Sequence, residues 1–169
     1  MTIALVIPAL PTYSETFLTN KIKGLKESGF NVVIMVVGES EKRKMDVPVH
    51  YQPILAASGP LRWMLTFWLI VKSMIAYPKK SIKLLREASK AGYEGFGTWR
   101  MLAVLSNFLK IKPDWVHFAY GTMAVERAFI GKVLGSKVSL SLRGYDITIS
   151  PILNPGIYDK VWPYVDKVH

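Results

Sequence analysis

The sequence predicts an α/β domain built on an open parallel sheet, and three observations predict it. Thr2 to Ile7 and Asn31 to Val37 are continuous apolar runs rich in branched residues, which suits strands buried on both faces. Between them, Phe17, Leu18, Ile22 and Leu25 recur at helical spacing, which makes a strand–helix–strand unit with a right-handed crossover. Polar clusters then follow the candidate strands directly, at the carboxyl ends where open α/β sheets bind ligands.

The elements follow in chain order. Met1 to Pro8 lacks a basic leader region and reads as a strand ended by Pro8, not as a signal peptide. Pro11-Thr12-Tyr13 is loop, Ser14 is placed to cap a helix, Glu15 favours its first turn, and Gly29 stands where a helix ends. Gly38 to Asp46 is a charged loop, and Val47 to Tyr51 a short third strand. Ser58-Gly59-Pro60 precedes a helix over Leu61 to Tyr77; Pro78 restarts the chain into Lys79 to Ala91, closed by Gly92. Trp99 to Lys110 is a further helix, and Lys112-Pro113-Asp114 a turn. Trp115 to Ala119 is the fourth strand, Thr122 to Leu134 a helix, and Lys137 to Leu142 the fifth strand. Pro151 to Tyr164 is loop with a short helix. Val165 to His169 opens another apolar element, so the expectation is the front part of a longer protein or a truncated one.

Composition narrows the classes. Half of the 169 residues are hydrophobic, which supports one packed domain and argues against wholesale disorder. The absence of cysteine removes disulfide and thiol chemistry and fits a reducing compartment. The net charge of +10 is concentrated: Arg62 to Lys112 holds ten Lys or Arg against Glu87 and Glu94. Such a segment attracts anionic lipid, nucleic acid or an anionic substrate, or is simply a solvated surface.

Trp63 to Val71 is nearly apolar all round, yet too short to span a bilayer, which takes roughly 20 apolar residues. Two readings follow. Either the helix faces the core, or it lies at a bilayer interface with Trp63, Phe67 and Trp68 at headgroup depth. The next helix, with Lys79, Lys80, Lys83 and Arg86, then supplies cations toward an anionic membrane. Nucleic acid is disfavoured, because no recognised module is present and the aromatics do not alternate with cations.

Three loops lie on one predicted sheet edge. In the first, backbone N–H groups near Ser14 to Thr16 can receive a phosphate, or Ser14 merely caps the helix. His117 is the histidine placed in a strand near this edge, as a base, a donor to a sugar or phosphate, or a structural group. Arg143, Gly144 and Asp146 form a turn after the fifth strand: Arg143 can hold a phosphate, and Asp146 can accept from a hydroxyl or pair with Arg143. Metal-ligand spacing and a Ser-His-Asp series are both absent from the sequence, and no Gly-rich dinucleotide fingerprint follows the first strand.

Three of these segments together resemble glycosyltransferase family 4. Pro11 to Phe17 (PTYSETF), followed by a helix and Gly29-Phe30-Asn31-Val32, resembles that family's opening. Asp114-Trp115-Val116-His117 resembles its fourth strand, and Arg143-Gly144-Tyr145-Asp146 its turn after the fifth. A second family histidine corresponds to Ala119 here. The resemblance implies a GT-B architecture of two Rossmann-like domains, with residues 1–169 as the N-terminal, acceptor-side domain bearing helices on both faces of its sheet. It implies metal-independent, retaining transfer of a sugar from a nucleotide sugar, which a second domain carrying E-x7-E carboxylates would bind. No cofactor is expected. The implied acceptor is a lipid-linked or polysaccharide intermediate, and the implied location is peripheral, on the cytoplasmic face of the cell membrane. Thr12, Ser14, Glu15 and Thr16 would face the donor phosphates, with Arg143 and Gly144 binding phosphate, and His117 and Asp146 at the reacting centre. Two alternatives stand beside this reading: a standalone peripheral membrane or ligand-binding domain, and a GT-B sugar-nucleotide epimerase.

Overall fold

The computed structural model describes residues 1–11, 16–38, 45–55 and 59–169. It is an α/β fold with a Rossmann-like sheet. Strands β1 (Thr2–Ile7), β2 (Asn31–Val36), β3 (Val49–Tyr51), β4 (Trp115–Phe118), β5 (Lys137–Leu140) and β6 (Lys167–Val168) pair in the order β3-β2-β1-β4-β5-β6. Every pairing is parallel.

The two faces of the sheet are covered unequally. Helix α1 (Thr16–Glu27) lays Leu18 and Ile22 on Leu5, Ile7, Val32, Ile34 and Val36. Gly29, at φ 80°, turns the chain from α1 into β2 as a helix-ending glycine should. On the opposite face, Ala4, Val6, Val116, Phe118, Val138 and Leu140 pack against α3 (Pro78–Lys90), α4 (Phe96–Leu105) and α6 (Ile130–Leu134). Helix α2 (Pro60–Ala76) lies outside this layer against α3 and α4.

Two carboxylates fix strand starts. Asp114 accepts a hydrogen bond from the Thr2 N–H at 2.6 Å while its own N–H donates to the Thr2 carbonyl at 2.8 Å. Asp166 repeats the arrangement with Val138, at 2.7 and 2.8 Å. Each aspartate thereby sets the register of a parallel pair that no hairpin turn can set.

Three regions differ from the sequence reading. The helix expected over 122–134 is two short segments, α5 (Gly121–Ala124) and α6, joined by turns. Gly131 in α6 explains the close approach there: a Cβ would stand 2.1 Å from Val138 Cγ2. The helix expected from Trp99 begins three residues earlier, and its last turn is a 3-10 turn over Ser106–Phe108. The turn at Arg143 is itself the start of a helix, α7 (Gly144–Thr148), followed by α8 (Ser150–Leu153).

Helix α2 meets the core-facing reading of its apolar run along one side only. Thr66, Leu69 and Ser73 are its buried residues, whereas Trp63, Phe67, Trp68 and Ile75 are exposed. Thr66 Oγ1 donates to the Arg62 carbonyl and Ser81 Oγ to the Ser73 carbonyl, which satisfies hydroxyls along the inner seam. The inner side of the helix thus sets Thr66 and Ser73 among Leu69, Ile70 and Met74, while its bulkiest aromatic residues meet solvent.

Candidate functional site

The elements converge as the parallel topology requires. The carboxyl ends of β1, β4 and β5 open on one edge, and α5 and α7 start there. Arg143 closes β5 with its guanidinium carbon 3.2 Å from the centroid of the Phe17 ring in α1 and 5.3 Å from that of Tyr120. Arginine stacks on aromatic faces while keeping its N–H fork in the guanidinium plane. Its Nε is buried without a hydrogen-bond partner among the described residues.

Asp146 is 2% exposed, which sets its role. One carboxylate oxygen accepts from the Thr122 N–H at 3.0 Å and the other from the Arg143 N–H at 3.1 Å. The Tyr158 hydroxyl donates to the Asp146 carbonyl at 3.1 Å. The carboxylate thus ties the start of α5 to the turn after β5 and holds Arg143 in place. A group so enclosed positions its neighbours and does not meet a substrate hydroxyl directly. Among the described residues, no Arg143–Asp146 ion pair forms; the pairing runs through backbone.

Gly144 is exposed, and an added Cβ there would meet nothing within 4 Å. It leaves open space beside Arg143. Thr16 is the exposed first residue of α1. Thr12, Ser14 and Glu15 lie outside the described residues.

One step back from this edge lies a second cluster, on the face that α1 only partly covers. His117 and Ser139 are paired across β4 and β5, and Ser141 is two residues further on the same face. Lys21 reaches over them from α1. Its Nζ lies 2.6 Å from His117 Nε2 and 3.3 Å from Ser141 Oγ, while His117 Nδ1 lies 2.8 Å from Ser139 Oγ. An ammonium has only donors, so Nε2 accepts from Lys21 and the ring proton sits on Nδ1, donating to Ser139. Burial, then the Lys21 charge, then His169 push the His117 pKa down to about 3. Burial and the neighbouring Arg143 likewise hold Lys21 below its ordinary value. His117 is therefore a neutral acceptor that seats Lys21. As a base it is weak, and its accepting nitrogen is occupied.

Lys21, His117, Ser139, Ser141 and Arg143 border a cleft of about 620 Å³. It runs along the strands toward Trp115 and Ile3, which are also paired across the sheet. Its charged lining is cationic, with no Asp or Glu. No metal-capable group of three or more His, Asp or Glu occurs among the described residues.

Sequence reasoning found Arg143, Asp146 and His117 but missed Lys21, Ser139 and Ser141. The signal was present: Lys137, Ser139 and Ser141 alternate with Val138, Leu140 and Leu142. A period of two in a strand marks one face that is not core. Lys21, four residues after Phe17, shares a helix face with the ring that meets Arg143.

The basic surface divides similarly. Lys79, Lys83 and Arg86 are exposed, as are Trp63, Phe67 and Trp68. Lys80 departs from them: its Nζ turns inward and donates to the Leu109 and Ile111 carbonyls at 2.6 and 2.8 Å. Those carbonyls end a helical turn, so Lys80 serves the fold and not an outer contact. Among the described residues, no helix is long and apolar enough to cross a membrane.

No protein-family model matches the chain, and no curated protein sequence matches it.

Proposed function

We propose that this chain is the acceptor-side half of a retaining glycosyltransferase of GT-B architecture, acting on a lipid-linked or polysaccharide acceptor. The observation that supports it best is the meeting, near one sheet edge, of described residues from the family-like segments. Phe17 from the first touches Arg143 from the third, and Asp146 of the third holds the loop that follows His117's strand. In such a reaction the departing diphosphate gains charge as the sugar leaves. Preorganised cations lower that barrier most when their positions are fixed in advance. Arg143, clamped by aromatic faces and by its own backbone bond to Asp146, is suited to that task. A second domain would bind the nucleotide sugar across the edge.

The same proposal sets the chain on an anionic membrane surface, on the cytoplasmic face. The outward apolar side of α2 and the exposed cations of α3 support this.

The test is transfer by the full-length natural protein, offered a panel of labelled nucleotide sugars with membrane lipid extract. Label should enter the lipid or polysaccharide fraction, and Arg143→Ala should cut the rate at least tenfold. Residues 1–169 alone should transfer nothing. A coding sequence with no second Rossmann-like domain downstream, or no sugar consumed from any donor, overturns the reading.

A further inference from the structure

We propose that the leading turns of α2 and α4 form one aromatic wedge, Trp63, Phe67, Phe96 and Trp99, that enters the bilayer and tips the carboxyl edge of the sheet toward it. This rests on the membrane reading above and adds which part of the chain inserts and how the molecule then stands.

The wedge is built across two helices. Trp63 in α2 and Phe96 in α4 hold their ring centroids 4.7 Å apart, with the planes inclined by 43°. Phe67 lies one turn on from Trp63, and Trp99 one turn on from Phe96, so each helix adds a second ring to the same side. All four rings remain exposed. The seam is fixed before anything binds. Gly95, at φ 49°, lets the chain turn into α4, and Thr98 Oγ1 donates to the Tyr93 carbonyl at 2.9 Å, which pins the first turn of that helix. Rings held out in water by a packed seam gain by entering a membrane interface, where tryptophan is enriched.

Charge chooses the occupant. Residues from Arg62 to Lys112 hold ten Lys or Arg against Glu87 and Glu94. A second copy of this surface would meet its own excess of cations, whereas an anionic bilayer answers it. The rings and the cations are also placed unequally. Trp63, Phe67 and Trp68 occupy the first half of α2, whereas Lys72 comes in the second half and Lys79 and Lys83 in the helix that follows. Val71 and Ile75 continue the apolar side there without an aromatic ring. Lysines keep their ammonium groups in water, so the leading end of α2 goes deeper. That end lies on the carboxyl side of the sheet. Tyr93, just before α4, packs on Phe129 with centroids 6.3 Å apart, and Arg127 in the same segment as Phe129 donates to Gln52, which directly follows β3. Arg143 and the start of α7 open at this edge, so the tilt brings them toward lipid.

The experiment uses this chain with vesicles of phosphatidylcholine and phosphatidylglycerol. Variants keep one tryptophan each, with phenylalanine at the other four positions, and lipids brominated along the acyl chain quench a ring that inserts. Trp63 and Trp99 should each be quenched several-fold more than Trp115, which begins β4 on the other face of the sheet. Phe96→Gln, in the otherwise unaltered chain, should lower co-sedimentation several-fold. The sequence has no cysteine, so Gly144→Cys and Lys137→Cys each provide a single labelling site, at opposite ends of β5. Energy transfer to a dye on the lipid headgroups should be greater from the label at position 144. Vesicle binding with Trp99 quenched no more than Trp115 overturns the wedge and leaves the membrane reading in place. Equal transfer from the two labels, or more from position 137, overturns the tilt. If the unaltered chain fails to co-sediment with these vesicles, the membrane reading falls, and this proposal with it.

Discussion

At the scale of single residues, the chemistry turns on who donates to whom. His117 holds Lys21 and is kept neutral, with a native pKa near 3 against an ordinary 6.5. Unfolding frees the ring to take a proton, so between pH 6.5 and 3 the unfolded chain binds more protons than the folded one. Stability is then unaffected above pH 6.5 and falls as the pH drops below it. Gln at this position can accept from Lys21 and donate to Ser139 without titrating. Between pH 7 and pH 5 the wild-type chain should lose about 2 kcal/mol more unfolding free energy than His117→Gln, as read by urea denaturation. Parallel curves would remove the buried, neutral histidine from the account. Lys21 is held below its ordinary value by burial and then by the Arg143 charge.

At the scale of elements, α2 departs furthest from expectation. Its sequence is apolar nearly all round, so periodicity could not say which side faces inward. The choice was made by tertiary packing, which turned Thr66, Leu69 and Ser73 inward and left Trp63, Phe67 and Trp68 outside. Phe67 is 70% exposed. Phe67→Gln should therefore change stability by less than about 0.5 kcal/mol, while lowering co-sedimentation with anionic vesicles several-fold. A large loss of stability would mean that the side chain is packed after all. The βαβ start, by contrast, was readable, because buried parallel strands have a plain apolar signature and Gly29 punctuates the helix. The division of 121–134 into two segments was not. Its second segment is seated by Gly131 against Val138, a contact between different elements that no local pattern encodes.

At the scale of the whole molecule, the basic outer helices are segregated from the cleft. The segment from Arg62 to Lys112 carries nearly all the net charge and builds the outer helices, whereas the donor cluster lies on the opposite face of the sheet. Vesicle binding through the outer helices should weaken steeply when salt rises from roughly 0.1 to 0.5 M, because exposed charges are screened over a few ångströms there. It should also fall on zwitterionic vesicles. Binding that ignores both salt and lipid charge would leave α2 as an apolar patch with another purpose. The global order of strands followed from alternating strand and helix signals, and the shared edge for Phe17, His117's loop and Arg143 followed from it. The inward turn of Lys80 and the enclosure of Asp146 did not, since each depends on atoms far away in the chain.

The central place of β1 has a consequence during synthesis. Ile3 pairs with Val32 on one side and with Trp115 on the other, and Thr2 is clamped by Asp114. A nascent chain therefore completes the first pairing early and waits about eighty more residues for the second. In that interval it displays an apolar strand with an open edge together with the outward side of α2. Both are templates for association with other chains. Until β4 is made, the strand that ends at the centre of the sheet is thus its edge.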